Sequence, residues 1–435
     1  MQWCIDCRIT KRRGGTLKAK YMRILIYSTN FAPEPTGIGK YSGEMAAWLA
    51  EQGHEVRVVA APPYYPAWKT DRKYLWPPFR REQWRGVDVW RAPLWVPKAP
   101  GGFTRIVHLL SFAIMSFPVM VWQTFWRPDL VLTVAPAFVC APAALLTARL
   151  AHAKSWLHLQ DFEIDVAFGL GLMKGDLLQR IVLRMERWIL QRFDTVSTIS
   201  GRMIERLLKK GVAPERTRYF PNWVNVSRTR PGAARGSYRA ELGIPSDAVV
   251  ALFSGTLGGK QGLMVIPAAA SLLRSHQNTV FVICGDGLMK PDLEAAVAGL
   301  PNVRLLPLQP PERLSELLGM ADIHLLPQSP DAADLVLPSK LSGMLASGRP
   351  VIATCRPGTE IGEIVSQCGL VVAPQDSAAL ALAVSRLADD TEMRLELGRR
   401  AREFAELNFE RNAVLGAMFG AFEQAVPGIV NDVAA

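Results

Sequence analysis

Short runs of aliphatic and β-branched residues recur along this chain. Each is followed by a glycine or polar turn and then a helical pattern, and few architectures accept that alternation. Residues 23–27 form the first run. A loop holding Gly37 and Gly39 follows, then a helical pattern over 41–52, a stop at Gly53 and a second run at 55–60. Strand, helix and strand in that order make a βαβ unit with parallel strands. Runs at 130–134, 155–159 and 195–199 continue the series, with a helical pattern over 176–192. Residues 227–238 (SRTRPGAARGSY) are polar and rich in Arg, Gly and Pro, which reads as a linker or exposed loop. A second series then begins, with runs at 249–254, 280–284, 303–306, 323–326 and 351–353 and a helical pattern over 263–274. The sequence predicts an α/β chain of two doubly wound, Rossmann-like domains facing across a cleft. Their expected extents are 22–226 and 241–405 with a linker at 227–240, and 435 residues suit two such units. A last helix over about 391–426 is long enough for its end, within 406–435, to pack back on the first domain.

Residues 1–21 are basic, lack an apolar core, and read as a leader that is disordered or not native, with Met22 as an alternative start. They hold six Lys/Arg and one Asp, so they supply +5 of the net charge of +11 and leave the folded part moderately basic. Such a balance favours phosphates or an anionic surface as partners. Six scattered cysteines make no disulfide framework and fit a reducing, cytoplasmic setting. Cys4 and Cys7 form a C-x-x-C that has no second pair, which argues against zinc.

Two stretches, 106–126 and 130–148, contain no charged residue until their ends and are long enough to span a bilayer. Pro118 and Gln123 in the first, and Pro136 and Pro142 in the second, favour buried helices or a face that touches a membrane. Tryptophans nearby, among them Trp76, Trp95, Trp122 and Trp126, suit a lipid–water interface or ordinary packing.

Ligands of doubly wound sheets bind at the carboxyl ends of the strands. Gly37 and Gly39 lie there and would let backbone approach a phosphate or sugar, although G-x-G lacks the third glycine of a dinucleotide fingerprint. In the second series, residues 254–262 (SGTLGGKQG) offer close approach at Gly255 and a cation at Lys260, and Gly285 opens a turn at the next run. Residues 158–165 (HLQDFEID) gather Gln160, Asp161, Glu163 and Asp165 at a strand end. A carboxylate there would accept a proton or hold hydroxyls, or Asp161 or Asp165 would cap a helix. Residues 334–354 (DLVLPSKLSGMLASGRPVIAT) read as a polar loop, a helix starting near Ser339 with Lys340 in its first turn, a stop at Gly348 and a buried strand; the helix start and Lys340 suit an anion.

Taken in order, MRILIYSTNFAPEPTGIGKY, LHLQDFEID, FPNWVN, FSGTLGGKQGL, VICGDG and ADLVLPSKLSGMLASGRPVIA resemble the GT-B glycosyltransferases of family 4, in the branch that builds colanic-acid-like exopolysaccharide. The resemblance runs over about 22–426. It implies a retaining, metal-independent transferase without a cofactor that moves a hexose, fucose included, from a GDP- or UDP-linked sugar. The implied acceptor is a lipid-diphosphate-linked saccharide at the inner face of the cytoplasmic membrane, with the enzyme peripheral there. It places Lys260 on the donor diphosphate, with Gly255 and Gly285 lining the nucleotide pocket and Gly37 and Gly39 bordering the sugar. Ser339 and Lys340 fall on the donor side, and Gln160, Glu163 and Asp165 on the acceptor side. Asp161, Lys260 and Asp334 are the catalytic candidates. The chain departs from the pattern at three places. Thr256 stands where relatives have an arginine, Gly343 stands where they have the second of two glutamates, and Gln160-Asp161 replaces a His-Asp pair. A same-fold epimerase would need acids and bases on both sides of the sugar, and no convincing set is present. A dinucleotide oxidoreductase lacks its fingerprint here, while a non-catalytic membrane scaffold would use only the Trp-rich runs. Nothing in the motifs points to nucleic acid.

Overall fold

A computed structural model of the chain describes residues 21–98, 101–134, 138–162, 176–231, 236–275, 278–330 and 337–426. In the first domain β1 (Arg23–Ser28), β2 (Glu55–Ala60), β3 (Arg80–Trp84), β4 (Val87–Arg91), β5 (Leu130–Val134), β6 (Lys154–Leu159), β7 (Thr195–Thr198) and β8 (Thr217–Tyr219) form one eight-stranded sheet. Its order is β3-β4-β2-β1-β5-β6-β7-β8, and β3 against β4 is its antiparallel pair. The second domain orders β9 (Val249–Ser254), β10 (Thr279–Cys284), β11 (Val303–Leu306), β12 (Ile323–Pro327), β13 (Val351–Thr354) and β14 (Gly369–Val372) as β11-β10-β9-β12-β13-β14, all parallel. This is the Rossmann order, and its direction reverses between β9 and β12 as it does between β1 and β5 in the first sheet.

The central strands are mostly apolar because helices cover both faces. In the first domain the helices Gly37–Glu51 and Arg411–Ala425 cover one face. Gly102–Trp122, Ala141–Ala151, Asp176–Leu190 and Gly201–Lys209 cover the other. The 130–148 run thus divides into β5 and a short helix, which removes it as a span. The 106–126 run is one long helix ending in the single turn Gln123–Trp126.

Two expectations need correction. The expected helix over 391–426 is two helices, Thr391–Phe409 and Arg411–Ala425, separated at Glu410 (φ −63°, ψ 127°). The Glu410 carboxylate accepts from Ala413 N at 2.7 Å and so caps the second helix. Phe409 O accepts from Val224 N at 2.8 Å, and Arg411 N donates to Val224 O at 3.1 Å. The two passages of the chain between domains are therefore bonded to each other. Second, the expected linker at 227–240 overlaps an ordered element: Ser237–Glu241 is helical, and Tyr238 and Arg239 are buried in the second domain. Arg239 pairs with buried Asp322, which also accepts from Val250 N at 2.9 Å, so this helix is tied to the start of β9.

Candidate active site

The reversal point of the second sheet is where the chemistry gathers. Gly255 follows β9, and the helix Lys340–Ala346 follows β12. The Lys340 stem passes over Gly255, where an added Cβ would lie 3.4 Å from Lys340 Cδ and 3.6 Å from Nζ. Its ammonium stands 4.1 Å from the centre of the Phe253 ring. Nζ is buried and has no hydrogen-bond partner among the described residues. Burial lowers its pKa from 10.5 to about 7, since desolvation disfavours the charged form. A buried cation without a counter-charge is costly, so this one is either neutral or matched to an anion that enters. The helix has seven residues, too short for its terminus to hold an anion unaided, and the Ser339 side chain does not cap it. Any positive charge at this place is the lysine's own.

The floor beneath Lys340 is backbone. An added Cβ on Gly285 would sit 1.9 Å from Gly255 O, and one on Gly287 would sit 2.4 Å from Leu257 O. Leu257 N donates to Asp286 O at 2.8 Å, and Met289 N donates to Leu257 O at 2.9 Å. Two glycine loops are thus laced together, leaving a wall without side chains beside the lysine. Gly343 lies one turn after Lys340 on the same side of its helix. Lys260 falls in the turn Gly259–Gln261, and its side chain lies outside the described residues, as do Asp334, Glu163 and Asp165.

Across the cleft, β6 ends in a fixed polar chain. Gln160 Nε2 donates to His158 Nε2 at 2.8 Å and to Asn222 Oδ1 at 3.0 Å, and Asn222 Nδ2 donates back to Gln160 Oε1 at 3.0 Å. His158 Nδ1 lies 2.9 Å from Ser197 Oγ. Burial lowers the His158 pKa to about 3, so the ring is neutral, and the network assigns its proton to Nδ1. Asp161, partly exposed, follows this chain directly. Gln160 is therefore held by the segment that leads into the second domain. Asn222, Ile199 and Ser339 line a small recess between the domains.

Gly37 opens the helix Gly37–Glu51 with φ +60°. Gly39 is explained by packing: an added Cβ would lie 2.4 Å from Glu34 Oε2. Glu34 is buried and accepts from Tyr64 N at 3.1 Å, Tyr65 N at 3.0 Å and Asn30 Nδ2 at 3.0 Å, and burial raises its pKa. This carboxylate shapes the loop at the end of β1, and sequence reasoning missed it; an acid between two prolines in the APEPTG stretch was the available signal. Two cross-domain groups were also missed. The buried Tyr41 hydroxyl interacts with Ser342 and Ser339. Glu360 accepts from Gly201 N at 2.8 Å and Arg202 N at 3.0 Å, capping a first-domain helix from the second domain. Neither pairing leaves a local trace in the sequence. Among the described residues no cluster of His, Cys, Asp and Glu could hold a metal ion.

Two Rossmann-like sheets facing across a cleft make the GT-B architecture. Residues 36–223 match the family described as glycosyl transferase 4-like domain, and residues 248–390 match glycosyl transferases group 1. The chain belongs to this glycosyltransferase family. It is 40% identical over 407 residues to a protein of Escherichia coli (strain K12) that carries the name colanic acid biosynthesis glycosyl transferase WcaI, covering 91% of this chain and 98% of that one. Among solved structures, sucrose-phosphate synthase of Thermosynechococcus elongatus superposes with a TM-score of 0.72 at 19% identity, over 93% of this chain and 98% of that one. Anabaena HepE in complex with UDP-glucose gives 0.66 at 15% identity, over 93% of this chain and all (100%) of that one. These two likenesses carry the fold.

Proposed function

We propose that the chain is a retaining hexosyltransferase of colanic-acid-like exopolysaccharide synthesis. Its second domain holds a nucleoside diphosphate sugar, with GDP-fucose the donor we put first. Its first domain presents a lipid-diphosphate-linked saccharide, which sets the reaction at the inner face of the cytoplasmic membrane. The observation that carries this reading is the buried Lys340 ammonium, unmatched by any described group and laid over Gly255 at the reversal point. A diphosphate entering there supplies the missing counter-charge. As the bond to the sugar breaks, negative charge grows on the leaving phosphate, and a cation already fixed in a poorly solvated site stabilises that charge more than it stabilises the ground state. The scheme asks for no metal ion. Lys260 is the second donor-side cation of this reading, Asp334 its donor-side acid, and Asp161 the carboxylate nearest the acceptor.

Support for a nucleotide sugar comes from HepE, whose structure of the same fold holds UDP-glucose. Support for the polymer comes from the name of the 40% identical relative. An epimerase would need acid and base groups on both faces of the ring, and the family models matched by both halves of the chain are those of glycosyl transferases. The test is titration calorimetry with GDP and UDP, followed by transfer from labelled GDP-fucose, GDP-mannose and UDP-sugars into a butanol-extractable lipid. Lys340→Met is expected to weaken nucleotide binding at least tenfold, and Lys260→Ala by about 1.5–3 kcal/mol, the range for hydrogen bonds to charged groups. Unchanged affinity in Lys340→Met ends the assignment of that residue, and absence of transfer with every donor ends the enzyme reading.

A further inference from the structure

The helix Gly102–Trp122 is apolar on its outer side as well as on much of its inner one. Its buried side, repeating every four residues, is His108, Phe112, Ser116 and Met120. Ser116 Oγ lies 2.5 Å from the Tyr27 hydroxyl, and His108 Nδ1 lies 2.6 Å from Trp95 O. One turn on, the buried Gln123 accepts from Arg57 Nη1 at 3.2 Å. The opposite side faces out and is apolar from end to end: Phe103 is 77% exposed, Ile114 68% and Phe125, just past the helix, 78%, with Leu110, Phe117 and Trp122 between them. A helix on a water-facing surface carries polar residues on its outer side. The next helices in the same layer continue the patch, with Leu146 and Leu150 on one and Ile181, Met185 and Trp188 on the other. All three helices pack by their inner sides into one core, so their outer sides form one surface.

Charge says what covers that surface. Arg105, Arg149, Arg180, Arg184 and Arg187 are exposed on these helices, whereas the acidic side chain described on them, Glu186, is buried against Lys210. An apolar strip bordered by arginines, with no exposed acid among the described side chains, matches acyl chains beneath anionic headgroups. It does not match a second copy of itself, whose arginines would repel. We propose that this face lies in an anionic bilayer surface with the helix Gly102–Trp122 in the plane of the interface. The helix is long and apolar enough to cross a membrane. Its polar side, however, is bonded into the domain, and a crossing would break those bonds. The helix begins beyond the carboxyl end of β4 and returns to the amino end of β5, so its Phe103 end lies on the cleft side of the sheet. A lipid-linked acceptor resting on this face would carry its head group towards the cleft; this last step rests on the reading of the acceptor given above, whereas docking does not.

The test uses the full chain and vesicles of phosphatidylcholine with and without phosphatidylglycerol. Sedimentation with the phosphatidylglycerol vesicles is expected, weakened by salt and released by alkaline carbonate. Ile114→Glu with Phe117→Glu should lower partitioning at least tenfold and leave GDP or UDP affinity unchanged, which verifies the fold. Four results overturn the proposal: binding by that variant equal to the parent, no binding of the parent to either vesicle, resistance to carbonate, or a parental dimer that the variant converts to monomer. Because binding is read without sugar donor, failure here leaves the transfer reading standing, and failure of transfer leaves docking standing.

Discussion

At the scale of the residue, Lys340 makes pH an instrument. Its folded pKa of about 7 lies below the unfolded value of 10.5, so between those limits the folded state binds fewer protons than the unfolded one. The free chain therefore gains stability from this group as pH rises through that window, and the gain is absent below it. An arriving diphosphate favours the charged form and raises the pKa again. Nucleotide affinity is then expected to fall as pH rises from about 7 to 9, with proton uptake on binding. Calorimetry in buffers of different ionisation enthalpy should show the uptake in the parent and none in Lys340→Met; equal uptake in both would assign the proton elsewhere. Gly285→Ala probes the wall beside the lysine. Its new Cβ would press on Gly255 O at 1.9 Å, and forcing backbone apart costs at least the ~1–3 kcal/mol of ordinary overpacking. A urea midpoint unchanged from the parent would contradict that packing.

At the scale of the element, burial decides what a sequence reveals. The central strands β1, β5, β9, β10 and β13 are dominated by apolar residues, and each was legible because both of its faces are covered. β3 (RREQW) is an edge strand with alternating exposure and no apolar run, and β8 (TRY) has three residues, so neither carries a readable pattern. The break at Glu410 was hidden because helical periodicity continues on both sides; its backbone partner there, Val224, lies nearly two hundred residues earlier in the chain. The site divides in the same way. Lys340, Gly255 and Gly285 stand in motifs and could be named, but the lysine's lack of a partner and the backbone contact of the two glycines exist only in three dimensions. The last helix offers a direct check of its place. Phe422 is fully buried and meets Trp156 edge-on at 4.7 Å between ring centres. Phe422→Ala should destabilise the first domain by about 3–5 kcal/mol, the usual cost of emptying a buried aromatic site. A urea series that shows less than ~1 kcal/mol would mean the helix is not part of that core.

At the scale of the whole molecule, the domains touch through groups of different permanence. Glu360 bonds two amides of the helix Gly201–Lys209, and Arg202 reaches back to Glu363 at 2.7 Å and to Gly358 O at 2.9 Å. These are polar contacts at a partly exposed rim, where removing a capping acceptor costs about 0.5–2 kcal/mol. Glu360→Ala is therefore expected to favour an open cleft, seen as faster hydrogen exchange at the Gly201 and Arg202 amides and a larger radius of gyration in solution scattering. Identical exchange in both proteins would show that the contact does not hold the domains together. The backbone pairing of Val224 with Phe409 and Arg411 is of another kind, because no side chain takes part in it. The first domain is also not contiguous in sequence: its core is completed by Val414, Leu415, Met418 and Phe422, which follow the second domain in the chain. A chimera that exchanges acceptor domains between two such transferases at a single junction near residue 226 would leave each half with the other's closing helix. A recombination that keeps both proteins folded needs two junctions, one at each passage, so new acceptor specificity would more readily arise by change within the domain than by shuffling it.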